Sequence, residues 1–427
     1  MKNDTMTSMT TLSPQPYKGT RDWYPEDKAV QNYIFDTWKA TMQSFGFCEY
    51  GAPLLEPLEV YAAKSGDELA NEQTYAFTDR GGREVAIRPE MTPSISRMVA
   101  ARRQELAYPA RLFSIANFMR YERPQRGRER EFWQLNADVF GADGVAAEAE
   151  ILQLADVLMK AFGADETMYE IRVNSRELIE AMTRQYLGLD ETRGKQLVRL
   201  IDRKNKLPAD VFRASAREIL GTDENEAKLE AIFAADSIET LPEGLAASDA
   251  AARIRELFAM LAALGISSTR FDVTLMRGLD YYTGTVFEVF DTDPQNNRSL
   301  FGGGRYDGLV GMFGAEPASA VGFAPGLTTT ELFLRSHDLL PDLMDGVNIY
   351  VAAVGDMALE TFQLAAKLRK EGLSVESDVS GRKFDKLIKT AEKKGAKEIV
   401  FVGANEVATG VYSAKNLATG EERRLEA

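Results

Sequence analysis

Apolar residues recur every four positions between residues 26 and 46, and this spacing predicts an amphipathic helix. Pro25 stands just before the predicted start, and Gly46 with the turn beyond it ends the helix. The apolar face consists of Val30, Ile34, Trp38 and Met42. The chain is therefore expected to bury one side of a long helix near its N-terminus.

Short apolar runs alternate with turns between residues 74 and 141, a pattern typical of β-strands. The links between these runs are too short for helical crossovers, so the strands are predicted to be antiparallel neighbours. Residues 144–162 return to a helical pattern, and 169–175 is strand-like. Residues 176–265 are helical almost throughout, which indicates a helical module inserted into a strand-rich region that continues to about residue 325.

A polar linker, RSHDLLPDLMDG, precedes a different pattern. Strand-like and helical runs alternate through VNIYVAAVG, a helix ended by Gly372, LSVESDV, a helix ended by Gly395, and EIVFVG. This alternation predicts a small α/β domain with a mainly parallel sheet. The whole chain is therefore expected to be α+β.

Length and composition narrow the class of protein. A chain of 427 residues suggests two or three domains, and no apolar run is long enough to span a membrane. Cys48 and His337 are the only cysteine and histidine, so neither a zinc site nor Ser-His-Asp catalysis is expected. His337 is predicted to lie exposed in a loop. The near absence of cysteine favours a reducing compartment, the cytoplasm.

The stretch MRYERPQRGREREFWQ, residues 119–134, gathers five arginines although the chain carries a formal net charge of −14. Strand character at both ends predicts a loop between antiparallel strands. Alternation along the second strand would place Phe132, Gln134 and Asp138 on one face, with Arg120 able to reach it. Guanidinium, ring, amide and carboxylate suit a nucleotide plus a small zwitterion. A hairpin with solvated ion pairs is an equal alternative on residue types alone.

Three further motifs carry chemistry. In IRPEMTPS, prolines stiffen the backbone around Glu90 and Thr92, so the carboxylate could hold an α-amino group. In MRGLDYYTGTVFEV, Arg277 precedes two tyrosines that could grip a polar ring, although aromatic core packing is the commoner fate. LFGGGRYDGLVGMFG lacks the features of a phosphate-binding loop, so close backbone packing beside a ligand pocket is expected.

Taken in order, these motifs resemble the class II aminoacyl-tRNA synthetases, and specifically the histidyl-tRNA synthetase family, from about Tyr17 onward. RYERPQRGREREFWQLNADVFG resembles motif 2, RGLDYYTGTVFEV the histidine-specific signature, and FGFCEYGAPLLEP, with Pro53, the dimer-forming motif 1. The resemblance implies an antiparallel catalytic sheet flanked by helices, a helical insertion and a C-terminal α/β anticodon-binding domain. The expected divisions are 1–16 disordered, 17–165 and 266–335 catalytic, 166–265 insertion, 336–345 linker and 346–427 anticodon-binding.

The family's reaction implies histidine, ATP and tRNA(His) as substrates, magnesium arriving with ATP rather than at a dedicated protein site, and a homodimer. Histidine would be bound by Glu90, Met91, Thr92, Gln134, Asp138, Tyr281 and Tyr282. ATP would be bound by Arg120, Arg128, Phe132 and Arg277, with Arg120 and Arg277 acting on the α-phosphate. Arg123 and Gln125 would meet the acceptor end of tRNA.

The segment AVGFAPGLTTTELF departs from the family's motif 3, because Thr329 stands where an arginine is expected to grip the γ-phosphate. A threonine cannot pair bidentately with phosphate. Either Arg128 or Arg305 compensates, or ATP binds weakly, or the chain is a paralogue that has lost activation. Losing one charge-assisted contact typically costs about 1.5–3 kcal/mol, which weakens an enzyme without abolishing it.

Two alternatives to an active synthetase follow. One is a histidine-binding regulatory subunit of ATP phosphoribosyltransferase, although such proteins generally lack the anticodon-binding domain. The other is a tRNA-sensing module without catalysis. Residues 382–397 are rich in lysine and could attract an anticodon stem, or could be a solvated helix face.

Overall fold

The computed structural model describes residues 12–62, 72–276, 281–296, 298–343 and 346–426. The chain divides into two compact units, Met1–Leu340 and Pro341–Ala427. Of the lead-in expected to be disordered, residues 1–11 lie outside the described residues.

Strands of the first unit form one large and one small sheet. In chain order they are β1 (Cys48–Glu49), β2 (Leu55–Pro57), β3 (Ala76–Thr78), β4 (Glu84–Ile87), β5 (Ala110–Met119), β6 (Glu131–Phe140), β7 (Tyr169–Ser175), β8 (Thr269–Phe271), β9 (Thr285–Asp291), β10 (Ser299–Arg305) and β11 (Ala320–Phe323). Among the described strands, the large sheet has the order β1-β5-β6-β11-β10-β9-β7-β8, and the small one β2-β4-β3. Among the described residues of the large sheet, only the pairs β1–β5 and β7–β8 are parallel.

Helices cover the large sheet and fill the segment between β7 and β8. They are α1 (Pro25–Ser44), α2 (Glu59–Ala62), α3 (Thr92–Ala101), α4 (Val145–Ala161), α5 (Arg176–Glu180), α6 (Glu191–Asp202), α7 (Ala209–Leu220), α8 (Asp223–Phe233), α9 (Glu243–Ala246), α10 (Asp249–Ala263) and α11 (Leu327–Ser336). The apolar stripe predicted for α1 is buried at all four positions, because it faces the core. Pro25 is the first residue of α1 rather than the residue before it.

The inserted helices α5–α10 have a hydrophobic core of their own, centred on residues such as Leu197, Ile232 and Ile254. Asp190, Thr222 and Ser248 begin three of these helices by accepting hydrogen bonds from backbone N–H groups of the first turn. The insertion is predicted to begin at residue 166, and in the structure β7 belongs to the large sheet and the helices begin at Arg176.

The hairpin of β5 and β6 is antiparallel along its whole length, as the sequence predicts. Its register places Phe132 opposite Phe118 and Gln134 opposite Ala116. Side chains along a strand alternate between its two faces. Phe132, Gln134 and Asp138 stand at even spacings, so their side chains lie on one face of β6. This face is the floor of the candidate site.

His337 does not lie in an exposed loop, contrary to expectation. It follows α11 directly, and its side chain is only 15% exposed. Its Nε2 atom lies 2.8 Å from Oδ1 of the buried Asp291, and its ring packs against Phe333. The hydrogen bond and the ring contact together give this histidine a structural position at the end of α11.

The second unit is a five-stranded sheet, counted over its described residues, with the order β13-β12-β14-β15-β16. Its strands are β12 (Ile349–Ala353), β13 (Val375–Asp378), β14 (Glu398–Val402), β15 (Val411–Asn416) and β16 (Glu422–Glu426), and its helices are α12 (Ala358–Lys370), α13 (Phe384–Lys393) and α14 (Ala404–Thr409). β12, β13 and β14 are parallel, and β15 and β16 form an antiparallel hairpin at one edge. The prediction of a mainly parallel α/β unit is confirmed for the first three strands.

Neither unit contains, among its described residues, a helix with the length and hydropathy that crossing a bilayer requires.

Candidate active site

Asp138 and Tyr306 form the innermost polar pair above β6. The Tyr306 hydroxyl donates a short hydrogen bond to Oδ1 of Asp138, and both side chains are almost fully buried. Burial raises the pKa of Asp138 to about 7, while the hydrogen bond from Tyr306 acts to lower it. Asp138 can therefore switch between charged and neutral forms near neutral pH.

Two buried polar atoms around this pair, Asp138 Oδ2 and Asn136 Nδ2, have no hydrogen-bond partner among the described residues. Beside them, the side chains of Tyr50 and Ser114 are hydrogen-bonded to each other. Ser114 and Asn136 are cross-strand partners on β5 and β6, so these atoms share one region of the sheet. Buried polar groups are normally paired, so donors and acceptors gathered in this way suit a small polar ligand.

Glu90 supplies a second carboxylate to the site. It is buried in the turn before α3, and the Tyr281 hydroxyl donates to its Oε2 at 3.1 Å. Tyr281 also packs against Tyr282 and Tyr306, with ring centroids 4.9 and 5.8 Å away. One tyrosine therefore links the carboxylate of Glu90 to the pair formed by Asp138 and Tyr306.

Met91 and Thr92 follow Glu90 at the start of α3. Met91 is fully buried against Phe118, so it shapes the wall of the site. Thr92 is the first residue of α3 and its carbonyl accepts a hydrogen bond from Ser96.

Arg120 and Phe132 lie together at the open end of the hairpin. The Nε atom of Arg120 donates to the carbonyl of Pro89 at 2.8 Å, and its guanidinium carbon is 5.2 Å from the centre of the Phe132 ring. Phe118 stacks on Phe132 with ring centroids 5.6 Å apart. The contact with Pro89 holds the guanidinium beside the turn that carries Glu90, while its remaining nitrogens are suited to an anion.

Gln134 ties β6 to the start of α11. Its Nε2 atom donates to the carbonyl of Ala324 at 3.2 Å, and its backbone forms an isolated bridge with Gly326. The helix α11 therefore begins directly beside the face of β6.

Three glycines let backbones approach closely around the site, as the sequence predicts for Gly303 and Gly304. A Cβ atom at Gly303 would lie 2.1 Å from the carbonyl of Gly322, and one at Gly304 would lie 2.6 Å from the carbonyl of Thr285. A Cβ atom at Gly322 would lie 2.1 Å from Oδ1 of Asp138. No larger side chain fits these positions without movement of backbone or of the Asp138 carboxylate.

The loop between β5 and β6 carries exposed side chains. Arg123, Gln125 and Arg128 all reach solvent, and Arg128 is paired with Glu122 at 3.4 Å. Pro53 is exposed in the segment before β2.

Of the arginines considered for the γ-phosphate, Arg305 has its hydrogen bonds within the protein. Its Nε atom donates to Glu148 at 2.6 Å, and further bonds reach Asp307 and the carbonyl of Gly144. Thr329 lies in the first turn of α11, with its hydroxyl 2.7 Å from the carbonyl of Leu300. Arg305 is therefore a structural ion-pair partner of α4.

Some predicted residues are not tested by the geometry, and others were missed. Arg277 lies outside the described residues.

Tyr306 and Arg88 were not singled out from the sequence, although Tyr306 stands within GGGRYDG. The Arg88 guanidinium donates to carbonyls of Ala52 and Asn117, each at 2.8 Å, and so anchors the turn that holds Glu90.

The second unit has a pocket of about 490 Å³ beyond the carboxyl ends of β12 and β13. Its lining includes Val354, Asp356, Arg382, Lys383 and Phe384. The half-exposed ring of Phe384 stacks on Phe401 with centroids 3.9 Å apart. The carboxyl ends of parallel strands commonly hold ligands in α/β units.

The antiparallel sheet with buried carboxylates, stacked aromatic rings and an arginine-rich hairpin, followed by a separate α/β unit, agrees with the expected architecture of an aminoacyl-tRNA synthetase. The family model described as histidyl-tRNA synthetase matches residues 19–329, and the model described as anticodon binding domain matches residues 348–427. The chain belongs to the histidyl-tRNA synthetase family.

Individual relatives agree with this assignment. The chain is 40% identical to histidine–tRNA ligase of Leptospira biflexa over 96% of its length and 94% of that protein. It is 39% identical to that of Opitutus terrae, over 96% and 95% of the two chains. The crystal structure of apo S. aureus histidyl-tRNA synthetase matches with a TM-score of 0.74 and 25% identity, covering 97% of each chain.

A structure described as an ATP phosphoribosyltransferase regulatory subunit/histidyl-tRNA synthetase from Bacillus halodurans also matches. Its TM-score is 0.76 at 24% identity, over 92% of this chain and 99% of that one. At that identity the match supports the shared fold alone.

Proposed function

We propose that this chain activates histidine with ATP and transfers the histidyl group to tRNA(His). The histidine carboxylate attacks the α-phosphorus, the bond to the β-phosphoryl oxygen breaks, and pyrophosphate leaves. A ribose hydroxyl of the terminal adenosine of tRNA then displaces AMP. The observation that supports this most directly is the linked set of Glu90, Tyr281, Tyr306 and Asp138, in which two buried carboxylates are joined through tyrosine hydroxyls and a ring contact.

Histidine suits this set by charge and by its hydrogen-bonding groups. Its ammonium group would pair with Glu90, near Met91 and Thr92, and its imidazole N–H would donate to Asp138. Gln134, Tyr281 and Tyr282 would complete the surroundings of the ligand. The unpartnered atoms near Asp138 provide hydrogen bonds that an aliphatic side chain would leave unsatisfied, and such unsatisfied groups cost about 1–3 kcal/mol each.

ATP would lie across the open end of the hairpin. Arg120 would contact the histidine carboxylate and the α-phosphate, and Phe132 would stack on adenine. Arg277 would stabilise charge on the α-phosphate, and Arg128 would reach the terminal phosphates. Orientation and neutralisation of phosphate charge would supply the rate enhancement, with Mg²⁺ arriving as the partner of ATP.

The two ends of tRNA would be held by different units. Arg123 and Gln125 are exposed in the β5–β6 loop, where the acceptor end would approach the histidyl group. In the second unit, Phe384 provides an exposed ring and Arg382 and Lys383 provide cations beside the pocket. Stacking rings next to cations suit unpaired bases such as those of an anticodon loop. A protein that serves translation in this way would work in the cytoplasm.

A homodimer is supported by the outward face of the small sheet. Leu55 pairs with Ile87, and Val85 pairs with both Pro57 and Phe77, so these apolar side chains lie on one face of the small sheet. On this face Leu55 and Phe77 are about half exposed. Pro53, two residues before Leu55 in the chain, is exposed as well. Burying this face against a second copy would remove apolar area from water, and sedimentation velocity at micromolar concentration would test this directly.

The decisive experiment is histidine-dependent ATP–pyrophosphate exchange by the full chain, alongside the Arg277→Ala variant. The parent is expected to exchange, and loss of Arg277 is expected to lower the rate at least 100-fold with little change in the KM for histidine. Absence of exchange at high ATP would leave the chain a histidine-binding regulatory protein.

A further inference from the structure

The tip of the β5–β6 loop packs against the first turn of α11. Gln125 and Arg128 exchange backbone hydrogen bonds of 3.1 and 2.9 Å across a tight turn, with Gly127 at a φ of +77°. A Cβ atom at Gly127 would lie 3.9 Å from the Thr329 methyl and 3.6 Å from a Leu332 methyl. The loop tip therefore rests on the helix at the position where the expected arginine is replaced.

Thr329 offers no charge to a ligand there. Its hydroxyl lies 2.7 Å from the carbonyl of Leu300 and 3.0 Å from that of Gly326, so its single proton is used within the protein. A threonine is also short enough to let the loop tip approach. The substitution and the packing of the loop on α11 are thus consistent with each other.

Two arginines contact Gln125 at this loop tip. Arg128 is 59% exposed and its ion pair with Glu122, at 3.4 Å, is loose. Arg298, two residues before Leu300, donates from Nη2 to Oε1 of Gln125 at 3.2 Å and is exposed. In the part of the chain that the structure describes, no carboxylate lies within 4.0 Å of the Arg298 guanidinium. The side chain of Gln125 therefore contacts the guanidinium group of Arg298, and the backbone of Gln125 bonds the backbone of Arg128.

The start of α11 adds favourable polarity. The first N–H groups of a helix have no partner within the helix and carry partial positive charge. Gly326, the N-cap, provides no side chain to cap them. Glu129 of the loop also lies beside this turn, where it accepts a hydrogen bond of 3.0 Å from the Thr328 hydroxyl, and burial raises the pKa of its carboxyl group.

We infer that Arg128 and Arg298, together with the N-terminus of α11, form a diphosphate subsite. It would receive the β- and γ-phosphates of ATP and the pyrophosphate that leaves, in place of an arginine at Thr329. This inference rests on the proposed function. Guanidinium groups bind phosphate oxygens in pairs of hydrogen bonds, and two of them match the charge of a diphosphate better than one. Gln134, which bridges to Gly326, connects this subsite to the floor of the site.

The test compares Arg298→Ala and Arg128→Ala with Arg126→Ala, an exposed arginine of the same loop tip, as a matched control. Exchange kinetics without tRNA would give the KM for pyrophosphate, ATP and histidine. Each variant at the subsite is expected to raise the KM for pyrophosphate and the KM for ATP about 10-fold or more, because each removes one charge-assisted hydrogen bond. The KM for histidine should stay within about 2-fold of the parent, and Arg126→Ala should match the parent throughout.

A rescue experiment separates binding from loop structure. Adding Thr329→Arg to Arg298→Ala should lower the KM for pyrophosphate again, because the new guanidinium enters the same subsite. An unchanged KM for pyrophosphate in Arg298→Ala, or an equal rise in the KM for histidine, would overturn the inference.

Calorimetric titration of the full chain with pyrophosphate alone distinguishes the two proposals. Binding by the parent that weakens in Arg298→Ala supports the subsite even if exchange is absent, in which case only the proposed function fails. Equal binding by parent and variant rejects the subsite while leaving an exchanging parent an active synthetase.

Discussion

Gly322 illustrates how a single residue sets the position of the ligand-binding carboxylate. It pairs with Asp138 across β11 and β6, and the space that a Cβ atom would need is taken by Oδ1 of Asp138 and the carbonyl of Ala137. Asp138 therefore keeps its contact with Tyr306 only because residue 322 has no side chain.

Gly322→Ala should displace the Asp138 side chain and weaken histidine binding. The overlap cannot be relieved by rotating a long side chain, because one of the contacting atoms is a backbone carbonyl. We expect a loss of about 1–3 kcal/mol in the free energy of unfolding and a KM for histidine raised more than 10-fold. The matched control is Gly82→Ala, where no atom lies within 4 Å of the added Cβ, although its φ of +79° still costs some stability. Parent-like histidine binding by Gly322→Ala would contradict this account.

The raised pKa of Asp138 gives a prediction for pH dependence. Because the folded-state pKa lies near 7 and the usual value near 4, the folded chain binds a proton that the unfolded chain releases. This contribution to stability is complete below about pH 4 and is lost as pH rises through about 7. The neighbouring tyrosines, Tyr306 and Tyr50, remain protonated over this range because burial raises the pKa of each.

Asp138→Asn removes this titration and keeps an acceptor for Tyr306. Urea unfolding without ligands should therefore show the variant gaining stability relative to the parent by about 1.4 kcal/mol per pH unit from pH 5 to about pH 7, with no further gain above that. A gap between variant and parent that does not change with pH would show that Asp138 is ionised throughout.

The β5–β6 hairpin is the element that the sequence predicts best, whereas the contacts across the sheet could not be predicted. Alternation along one strand places Phe132, Gln134 and Asp138 on a common face without knowledge of any other element. Tyr306, which follows β10, meets Asp138 of β6 only because a single strand, β11, lies between β6 and β10 in the sheet, and local periodicity does not specify strand order. For the same reason, periodicity along the chain does not specify that β7, which precedes the inserted helices, pairs with β9 in the large sheet.

The ion pair of Arg305 with Glu148 joins β10 to α4 and is almost fully buried, with 9% and 6% of the side chains exposed. Glu148→Gln would leave the Arg305 charge without a full partner. Removing one member of a buried pair typically costs about 3–5 kcal/mol of stability.

The control for this prediction lies on the same helix. Glu150 pairs with Arg111 at 2.5 Å, but the two side chains are 23% and 30% exposed, so Glu150→Gln should cost about 1 kcal/mol or less. Thermal unfolding of both variants would compare the costs. Equal losses would mean that burial does not distinguish the two ion pairs.

At the scale of the whole molecule, a formal net charge of −14 opposes general binding of a polyanion, so any surface for tRNA must be local. The helix α13 provides such a surface in the second unit. Lys386, Lys389 and Lys393 are exposed along one stripe at helical spacing, and Arg382 precedes them on the same side. Leu387 and Ala391 are buried on the opposite face, which fixes the orientation of the stripe.

Neutralising Lys386 and Lys389 to glutamine should weaken tRNA binding and flatten its salt dependence. Each phosphate contact contributes about 0.9 to the slope of log K against log salt, so losing two should reduce the slope by nearly 2. The control replaces Lys370 and Lys415, exposed cations outside the stripe, and keeps the same net charge change. Because this surface is remote in sequence from the pocket for histidine, exchange without tRNA should be unchanged in both double variants. Equal slopes for the two double variants would assign the salt dependence to net charge rather than to α13.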